Sequence, residues 1–326
     1  MGDAWTFRSV FGGDPDIRIV APTMRSDDDF EAFAKPVSES TALDAPVVEG
    51  VSFEVRDVPA VEASGFTHFL DGAQRAWPVM YHGLNPVRIA HTSAAMLRRT
   101  DREVEAPTER TWEGGLAVYA VPEIAARVPS DVGPVPIKLD EDDNTPIKVG
   151  DKIRKAIEQR RGGIEVALAA GFDNDGWLLI DGGIGRPLDR NPGLRQVAGV
   201  VKTHARQYFK SAERVAKILS MREGQRTSVF LREADPAQGH EVYSFYLKLH
   251  DSESQGPLFG VIRVEIPPLP ESLARADEIA GWLLVERAPL SLPDRRYDRL
   301  LYPIHLVEMH LKARQPTDAA ILGRIG

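Results

Sequence analysis

The chain has 326 residues, of which 43% are apolar and 27% are charged, and its formal net charge is −8. This composition is ordinary for a globular protein of one large or two smaller domains. The acidic balance excludes a globally basic nucleic-acid-binding protein, although it leaves room for a local basic groove. The chain has no cysteine, which excludes disulfides, thiolate zinc sites and a cysteine nucleophile and is typical of a reducing cytoplasm.

The start of the chain, MGDAWTFRSVFGGDPD, lacks the basic first residues and apolar core of a signal peptide. No stretch approaches the roughly 18 consecutive apolar residues of a membrane span. We therefore expect a cytoplasmic protein that does not associate with membranes. Residues 1–64 carry few regular patterns, and we expect them to form an N-terminal extension.

The apolar pattern becomes regular in the second fifth of the chain. Short strands are predicted at Phe66–Asp71, Ala76–His82 and Val87–His91, joined by turns that contain Gly or Asn-Pro, and this pattern predicts a β-meander. Residues 101–150 are charged and rich in proline, so we expect an insertion there, with a loop at 132–145. The acids of that loop lack the glycine and the final Glu of a calcium-binding loop.

The rest of the chain alternates between helices and strands. A helix is predicted over Asp151–Ala170, followed by strands at Trp177–Ile180 and Val197–Val201. The later predicted elements are a helix at Ala212–Met221, strands at Ser228–Arg232, Glu241–Leu249 and Gly260–Ile266, and helices at about 271–286 and 303–313. A meander followed by alternating helices and strands predicts an α/β fold with a mixed central β-sheet flanked by helices.

Two of the apolar strands end at an aspartate that is followed by glycine. The segment FLDG carries Asp71, and LLIDGG carries Asp181; open α/β sheets bind ligands at the carboxyl ends of their strands. If these strands are neighbours, two like charges share a small site, which raises a pKa strongly or recruits a cation. Oxygen-only ligands favour magnesium or manganese. Taken singly, each Asp-Gly is equally compatible with a plain strand-to-turn junction.

Glu165 is a third candidate ligand, on the helix that leads into the strand of Asp181. It lies in the apolar segment IEVALAA, where an unpaired carboxylate is costly to bury. The alternative interpretation is a Glu on a solvated helix face. Two metal ions roughly 3.5–4 Å apart, held by such carboxylates, can clamp the attacking and leaving oxygens in phosphodiester cleavage. The glycines after both aspartates would leave room for a phosphate backbone.

Three further residues are candidates for the same site. Lys202 follows a strand in GVVK and could hold a phosphate. Tyr302 and His310 lie eight residues apart in LYPIHLVEMHLKAR, a spacing of just over two helical turns, so one helix face could present both. His310 could bind a metal, donate to a phosphate or act as a general acid. A surface lysine and a structural Tyr and His are the alternative interpretations.

Other catalytic motifs are missing from the sequence. There is no GxxxxGK[ST] loop, no spaced dinucleotide fingerprint, no G-x-S-x-G and no H-E-x-x-H. The candidate site therefore depends on carboxylates and not on a nucleotide loop or a nucleophilic serine.

The order of these motifs resembles the NurA nuclease family. FLDGAQ is followed by a Glu on a helix, then LLIDGGIG, GVVK, the arginine-bearing strand GVIRVEIP, and YP before a helix that contains His. The resemblance spans about Phe66 to Arg314, and the order and spacing of the motifs carry it. We therefore expect a NurA-like nuclease domain at residues 65–326, with the insertion at about 101–150.

The resemblance implies an RNase H-like core and manganese-dependent cleavage of DNA, with magnesium as the alternative ion. It implies that Asp71, Glu165 and Asp181 bind metal, with His310 as a further ligand, and that Lys202, Tyr302 and His310 join these acids in catalysis. Family members degrade single strands, resect duplex ends in the 5′–3′ direction and can also cut endonucleolytically. They act as homodimers docked on a HerA-type hexameric ATPase, in DNA repair or in antiviral defence against phage.

The sequence departs from the family pattern in two places. Some relatives carry an Arg two residues before the second Asp, where this chain has Leu179, and Arg161 or Arg186 could replace it. The insertion matches the family poorly, so one of its acids could take the place of Glu165 in the metal site. These acids are Glu105, Glu109 and Glu113.

Two alternatives to a DNA nuclease stay open. The chain could be a non-catalytic NurA-like adaptor that dimerises, docks on a DNA translocase and retains its carboxylates as remnants. It could also be a nuclease that acts on RNA, because the metal chemistry is the same for both nucleic acids.

Overall fold

The computed structural model describes residues 5–20, 44–101, 103–105, 112–139, 145–204, 206–251, 255–289 and 297–326. Over these residues the chain forms one large mixed β-sheet with helices on both faces. The predicted α/β class is therefore confirmed, and the mixed sheet flanked by helices is consistent with the predicted RNase H-like core.

The sheet contains thirteen strands within the described residues, and parallel and antiparallel pairs both occur. The strands are β1 (Ile17–Ile19), β2 (Val55–Asp57), β3 (Phe66–His82), β4 (Asn85–Thr100), β5 (Glu103–Glu105), β6 (Trp112–Ala120), β7 (Pro134–Pro136), β8 (Trp177–Asp181), β9 (Val197–Val201), β10 (Gln225–Thr227), β11 (Phe230–Arg232), β12 (Val242–Lys248) and β13 (Val261–Ile266). In space the order is β2-β10-β12-β13-β9-β8-β3-β4-β6-β7, with β1 added to β3, β5 to β4 and β11 to β12.

The helices differ widely in length, and one of them is much longer than predicted. Within the described residues they are α1 (Phe7–Phe11), α2 (Pro122–Ala125), α3 (Pro146–Ala170), α4 (Gly185–Arg190), α5 (Ala212–Leu219), α6 (Pro270–Ala274), α7 (Ala276–Glu286), α8 (Tyr302–Lys312) and α9 (Asp318–Ile325). The prediction began α3 at Asp151, whereas the helix begins five residues earlier. Thr145 caps it by accepting a bond from the Lys148 N–H, and Pro146 occupies the first helical position.

Two long strands, β3 and β4, replace the predicted meander of three short strands. The prediction was wrong in dividing β3, because neither Gly72 nor Pro78 ends the strand. Antiparallel pairing with β4 continues through both residues, and a register shift after Pro78 accommodates the residue that lacks an N–H. The second predicted turn is confirmed, and it contains Gly83, which adopts a positive φ of 57°.

The predicted insertion adds strands to the same sheet. Within residues 101–150, β6 pairs antiparallel with β4, and β7 pairs in parallel with β6. The predicted loop at 132–145 is therefore partly strand, while residues 140–144 lie outside the described residues. The N-terminal segment also contributes strands, since β1 pairs with β3 and β2 pairs with β10.

The central strands bury both of their faces, as their nearly continuous apolar sequences indicate. On one face, Phe69 and Leu179 pack with Leu283 of α7 and Leu311 of α8. On the other, the neighbouring side chains of β3 and β8 pack with residues of α3 and α4. The two layers of helices hold β3, β8 and β9 rigidly, which matters because these strands carry the candidate ligands. Within the ranges that the structure describes, no helix is long and apolar enough to cross a membrane.

Phe66 should be a major source of stability at the start of β3. Its side chain is fully buried and meets the rings of Trp177 and Trp282 edge-on, with ring centroids 6.5 and 5.3 Å away. We expect Phe66→Ala to lower the free energy of unfolding by about 3–5 kcal/mol, because it removes apolar contacts and leaves a cavity. Urea denaturation measures this loss. Leu84→Ala, at a position that is 75% exposed, is the matched control, and equal losses in the two variants would contradict the prediction.

Candidate active site

Asp71 and Asp181 lie side by side on neighbouring parallel strands. Leu70 of β3 pairs with Ile180 of β8, so the two aspartates are the next residues along strands that are about 4.8 Å apart. They share a sheet face because side chains alternate along a strand, and Phe69 and Leu179 lie on that face. The pairing of β3 with β8 stops at this point, whereas β3 continues to His82. The aspartates therefore occupy an open corner of the sheet.

Glu165 reaches the same corner from the opposite face of the sheet. It projects from α3, and its carboxylate lies directly against Gly72, where a Cβ atom would overlap with the carboxyl group. Its side chain is only 17% exposed, so the alternative interpretation of a solvated helix face is wrong. Gly72 is thus needed for the close approach of Glu165 and not for an unusual backbone conformation. The three predicted acids are brought together.

Burial and neighbouring acids raise the pKa of Asp71 and of Glu165. Burial raises the pKa of Asp71 well above its usual range, and the charge of Asp181 and that of Glu165 raise it further, while Lys202 opposes the shift. Burial also raises the pKa of Glu165 to about 7, with Arg161 lowering it and Asp181 raising it. Like charges in a desolvated corner explain both shifts. The corner therefore has a surplus of negative charge that protons or cations must offset.

Two basic side chains pair with two of the acids. The Nζ atom of Lys202, the residue after β9, donates to Oδ2 of Asp181 over 2.7 Å. Arg161 donates from Nη1 to Glu165 one turn along α3 and from Nε to Gln74 on β3. Lys202 is thus brought to the site as predicted.

Arg161 is also a candidate for the arginine that some relatives carry where this chain has Leu179. The side chain of Leu179 is fully buried in the apolar core, whereas Arg186 is exposed on the short helix α4. Of the two arginines considered as replacements, Arg161 is the one at the carboxylate cluster. Its four-residue separation from Glu165 was a usable sequence signal, because side chains at this spacing on a helix are neighbours.

A buried carboxylate, which sequence reasoning missed, holds the turn that follows Asp181. Glu265 of β13 accepts a 2.8 Å hydrogen bond from the backbone N–H of Ile184. Arg263 and Arg232 flank the same carboxylate at 2.7 and 3.3 Å. These cations keep the pKa of Glu265 below its usual range despite complete burial. The charged pair inside the apolar strand GVIRVEIP was the available signal.

Arg299 holds the end of β9, and it was not predicted from the sequence. It donates from Nη1 to the backbone oxygen of Lys202 over 2.8 Å and from Nη2 to the oxygen of Leu258 over 2.9 Å. Asp298 pairs with Arg299 and also accepts a 2.8 Å bond from the N–H of Gly260. These contacts position the Lys202 backbone, and no local sequence pattern pointed to them because the partners are distant along the chain.

An open cleft of about 900 Å³ lies over the carboxylates. Its floor is formed by the middle of β3 and the ends of β8 and β9, and one wall by α8 and the residues before it. The side chains with polar groups that line it are Asp71, Gln74, Arg75, Arg161, Asp181, Lys202, Thr203, Asp298, Arg299, Glu308, Lys312 and Gln315.

Tyr302 and His310 are not among the residues that line this cleft. Tyr302 begins α8 and is half exposed, and His310 lies in the last turn of the helix. Helix α8 instead presents Glu308 and Lys312 to the cleft, and His310 is about 200° around the helix from each. Burial and the nearby Arg314 lower the pKa of His310, which favours a neutral ring. The catalytic roles predicted for Tyr302 and His310 stay predictions.

The acids of the insertion do not displace Glu165 within the described residues. Glu105 is an exposed residue at the end of β5. Glu109 and the side chain of Glu113 lie outside the described residues. Glu165 therefore remains the third candidate ligand.

The donor chemistry fits a hard divalent cation. Manganese and magnesium prefer oxygen ligands, and three mutually repelling carboxylates at one corner offer them. As the side chains stand, no group of three His, Asp or Glu residues in the described part of the chain is arranged to hold a metal ion. Two of the acids are paired with Arg161 and Lys202 instead. The residues that would hold the ion are Asp71, Glu165 and Asp181.

Fold and site together define an α/β protein of the RNase H-like kind with a carboxylate cluster at the point where the pairing of β3 with β8 ends. The family model described as the NurA domain matches residues 67–315. The chain therefore belongs to the NurA family, whose members are generally nucleases, and the resemblance noted in the sequence is confirmed. No curated protein matches the chain.

The raised pKa of Glu165 should make stability depend on pH. Because folding shifts this pKa from 4.5 to about 7, the folded protein holds the proton more tightly, and the favourable contribution is lost as pH rises through that range. As the pH rises from 5 to 8, the free energy of unfolding of Glu165→Gln should therefore increase by about 2–3 kcal/mol relative to that of the wild type, when both are measured in chelator. Urea unfolding across pH measures this difference. Glu158→Gln, at a half-exposed position on α3, should show no such gain. Curves of stability against pH that run parallel for Glu165→Gln and the wild type would refute the expectation.

Gly72→Ala should damage the cluster without unfolding the sheet. The new Cβ must push the Glu165 carboxylate away from Asp71, so we expect manganese affinity to fall by at least about tenfold. Electron paramagnetic resonance of free Mn²⁺ measures the affinity, and circular dichroism checks the fold. Gly115→Ala on β6 is the control, because a Cβ there meets open space. Wild-type manganese affinity in Gly72→Ala would show that Glu165 is no ligand.

Proposed function

We propose that this protein is a divalent-metal-dependent deoxyribonuclease that hydrolyses phosphodiester bonds with Mn²⁺ or Mg²⁺. The observation that carries the proposal is the gathering of Asp71, Glu165 and Asp181 at one corner of the sheet, under an open cleft. Membership of a family of nucleases supports the same conclusion.

Each residue of the corner has a distinct task in this proposal. Asp71, Glu165 and Asp181 would hold the cation, which when bound supplies Lewis-acid stabilisation of the phosphate and activates water. Lys202 and Arg161 line the cleft beside the acids and would bind the oxygens of the scissile phosphate. Gln74, bonded to Arg161, keeps that guanidinium over β3.

Tyr302 and His310 have supporting tasks in the proposal. They lie on α8, whose cleft-facing side carries Glu308 and Lys312. Neither residue lines the cleft, so Tyr302 would position the strand where it leaves the cleft, and His310 would donate to a phosphate outside it. We expect their removal to slow cutting less than removal of any of the three acids.

Family membership also supports the proposed partners and setting. We propose that the protein acts as a homodimer in the cytoplasm, with a HerA-type hexameric ATPase that delivers DNA. Single-strand cutting and 5′–3′ end resection, in DNA repair or in phage defence, are the proposed activities. Backbone contacts would dominate binding, so cutting should show little base preference and weaken with salt.

One observation favours a second candidate function, a non-catalytic adaptor. Glu165 and Asp181 are already paired with cations, and no group of three acids or histidines in the described ranges is arranged to hold an ion. Leu179 also stands where some relatives carry an Arg. An adaptor would dimerise and dock on the translocase without cutting.

A cleavage assay separates these candidates. We expect labelled single- or double-stranded DNA to be cut with manganese or magnesium and to stay intact in chelator. Asp71→Ala and Asp181→Ala should each lower the rate by at least about a hundredfold, because the cation loses a ligand. Labelled RNA in parallel tests the alternative substrate.

The control for this assay is Asp173→Ala, which removes an exposed acid before β8 instead of the acid at its end. This variant should cut like the wild type. Full activity in Asp71→Ala and Asp181→Ala would place the active site elsewhere, and an absence of cutting with every metal, together with binding to the ATPase, would establish the adaptor.

A further inference from the structure

In the part of the chain that the structure describes, the basic side chains that line the cleft are all paired with acids. Five such cations face the cleft, and each has a carboxylate partner within ion-pair distance. The pairs are Arg75 with Asp318, Arg161 with Glu165, Lys202 with Asp181, Arg299 with Asp298, and Lys312 with Glu308. The positive charge of this cleft, which lies over a carboxylate cluster and is to receive a polyanion, is therefore fully balanced by acids before any metal or substrate binds.

This balance leaves little attraction for a polyanion. The chain as a whole carries a net charge of −8, so long-range forces repel a nucleic acid. A phosphate that contacts a paired cation must compete with a carboxylate that is already in place. Binding of nucleic acid gains free energy mainly by neutralising phosphates and releasing counterions. The basic side chains that would neutralise phosphates in this cleft are already paired with acids.

A divalent cation would change both the net charge of the cleft and the pairing of its basic side chains. It brings two positive charges to Asp71, Glu165 and Asp181, and it competes with Lys202 for Asp181 and with Arg161 for Glu165. Both basic side chains line the cleft and have flexible stems, so once displaced they can turn to a phosphate. Arg161 and Gln74 are already bonded to each other at the cleft floor.

We propose that the cation must load before the nucleic acid and that Arg161 and Lys202 exchange a carboxylate partner for a phosphate when it does. The proposal rests on the proposed function in taking nucleic acid as the ligand. The metal site thus acts as an electrostatic gate: without the ion the cleft has low affinity for DNA, and with it the same cleft gains two phosphate-binding cations.

Fluorescence anisotropy with a labelled single-stranded oligonucleotide tests the order of binding. The full-length protein is titrated in EDTA and in calcium, a hard oxygen-binding cation, and electrophoresis confirms that the strand is intact. We expect the wild type to bind at least about tenfold more tightly in calcium. We also expect the slope of log affinity against log salt to steepen by about 1–2, because two more phosphates are contacted.

Matched variants on one helix separate the gate from a general loss of negative charge. Glu165→Gln releases Arg161 without metal and should bind DNA about three- to tenfold more tightly than the wild type in EDTA, with a smaller response to calcium. Glu158→Gln removes the acid of the pair Arg154–Glu158, which has the same four-residue spacing on α3 but lies outside the cleft. It should bind like the wild type. Asp181→Asn, which releases Lys202, replaces Glu165→Gln if that variant does not fold.

The outcomes distinguish this proposal from the proposed function. Equal wild-type affinity in EDTA and calcium, or equal behaviour of Glu165→Gln and Glu158→Gln, overturns the gate even if the protein cuts DNA. Metal-dependent binding with no cutting under any metal supports the gate and overturns the nuclease. An oligonucleotide that binds in neither condition overturns the gate.

Discussion

The parallel pairing of β3 with β8 is the constraint on which the rest of the site depends. It places Asp71 beside Asp181 because Leu70 and Ile180 are partners in the register. A shift of one residue would turn one of the aspartates to the opposite face of the sheet. Helices on both faces hold this register by burying the strands that carry it. The chemistry of the corner therefore depends on the packing of the apolar core around it.

Holding three acids together is costly, and the structure offsets the cost only in part. Burial and mutual repulsion raise the pKa of Asp71 and of Glu165, so the corner destabilises the fold at neutral pH when no cation is present. Lys202 and Arg161 offset two of the charges. Behind the cluster, a fully buried carboxylate, Glu265, is stabilised by two arginines and holds the turn after Asp181. A group of like charges that destabilises the fold in this way is typical of a functional site.

Local pattern was enough to find the acids but not their surroundings. Asp71 and Asp181 were identified because each ends an apolar run before glycine, and Glu165 because a carboxylate stands in an apolar helical segment. Glu265 and Arg299 were missed because their partners, Ile184 and Lys202, are distant in sequence. The length of β3 was underestimated for a related reason: glycine and proline are local signals of a break, and cross-strand pairing with β4 outweighs them.

The sequence by itself determined the α/β class, the two apolar strands that carry the aspartates and the family to which the chain belongs. These follow from hydrophobic periodicity and from short motifs in a definite order, which are properties of neighbouring residues. Only the tertiary structure decided that Glu165 approaches through the space above Gly72, that Arg161 faces it, and that every cation lining the described cleft is paired with an acid. These depend on which distant segments meet, because burial and Coulomb interactions are set by distances in space and not along the chain.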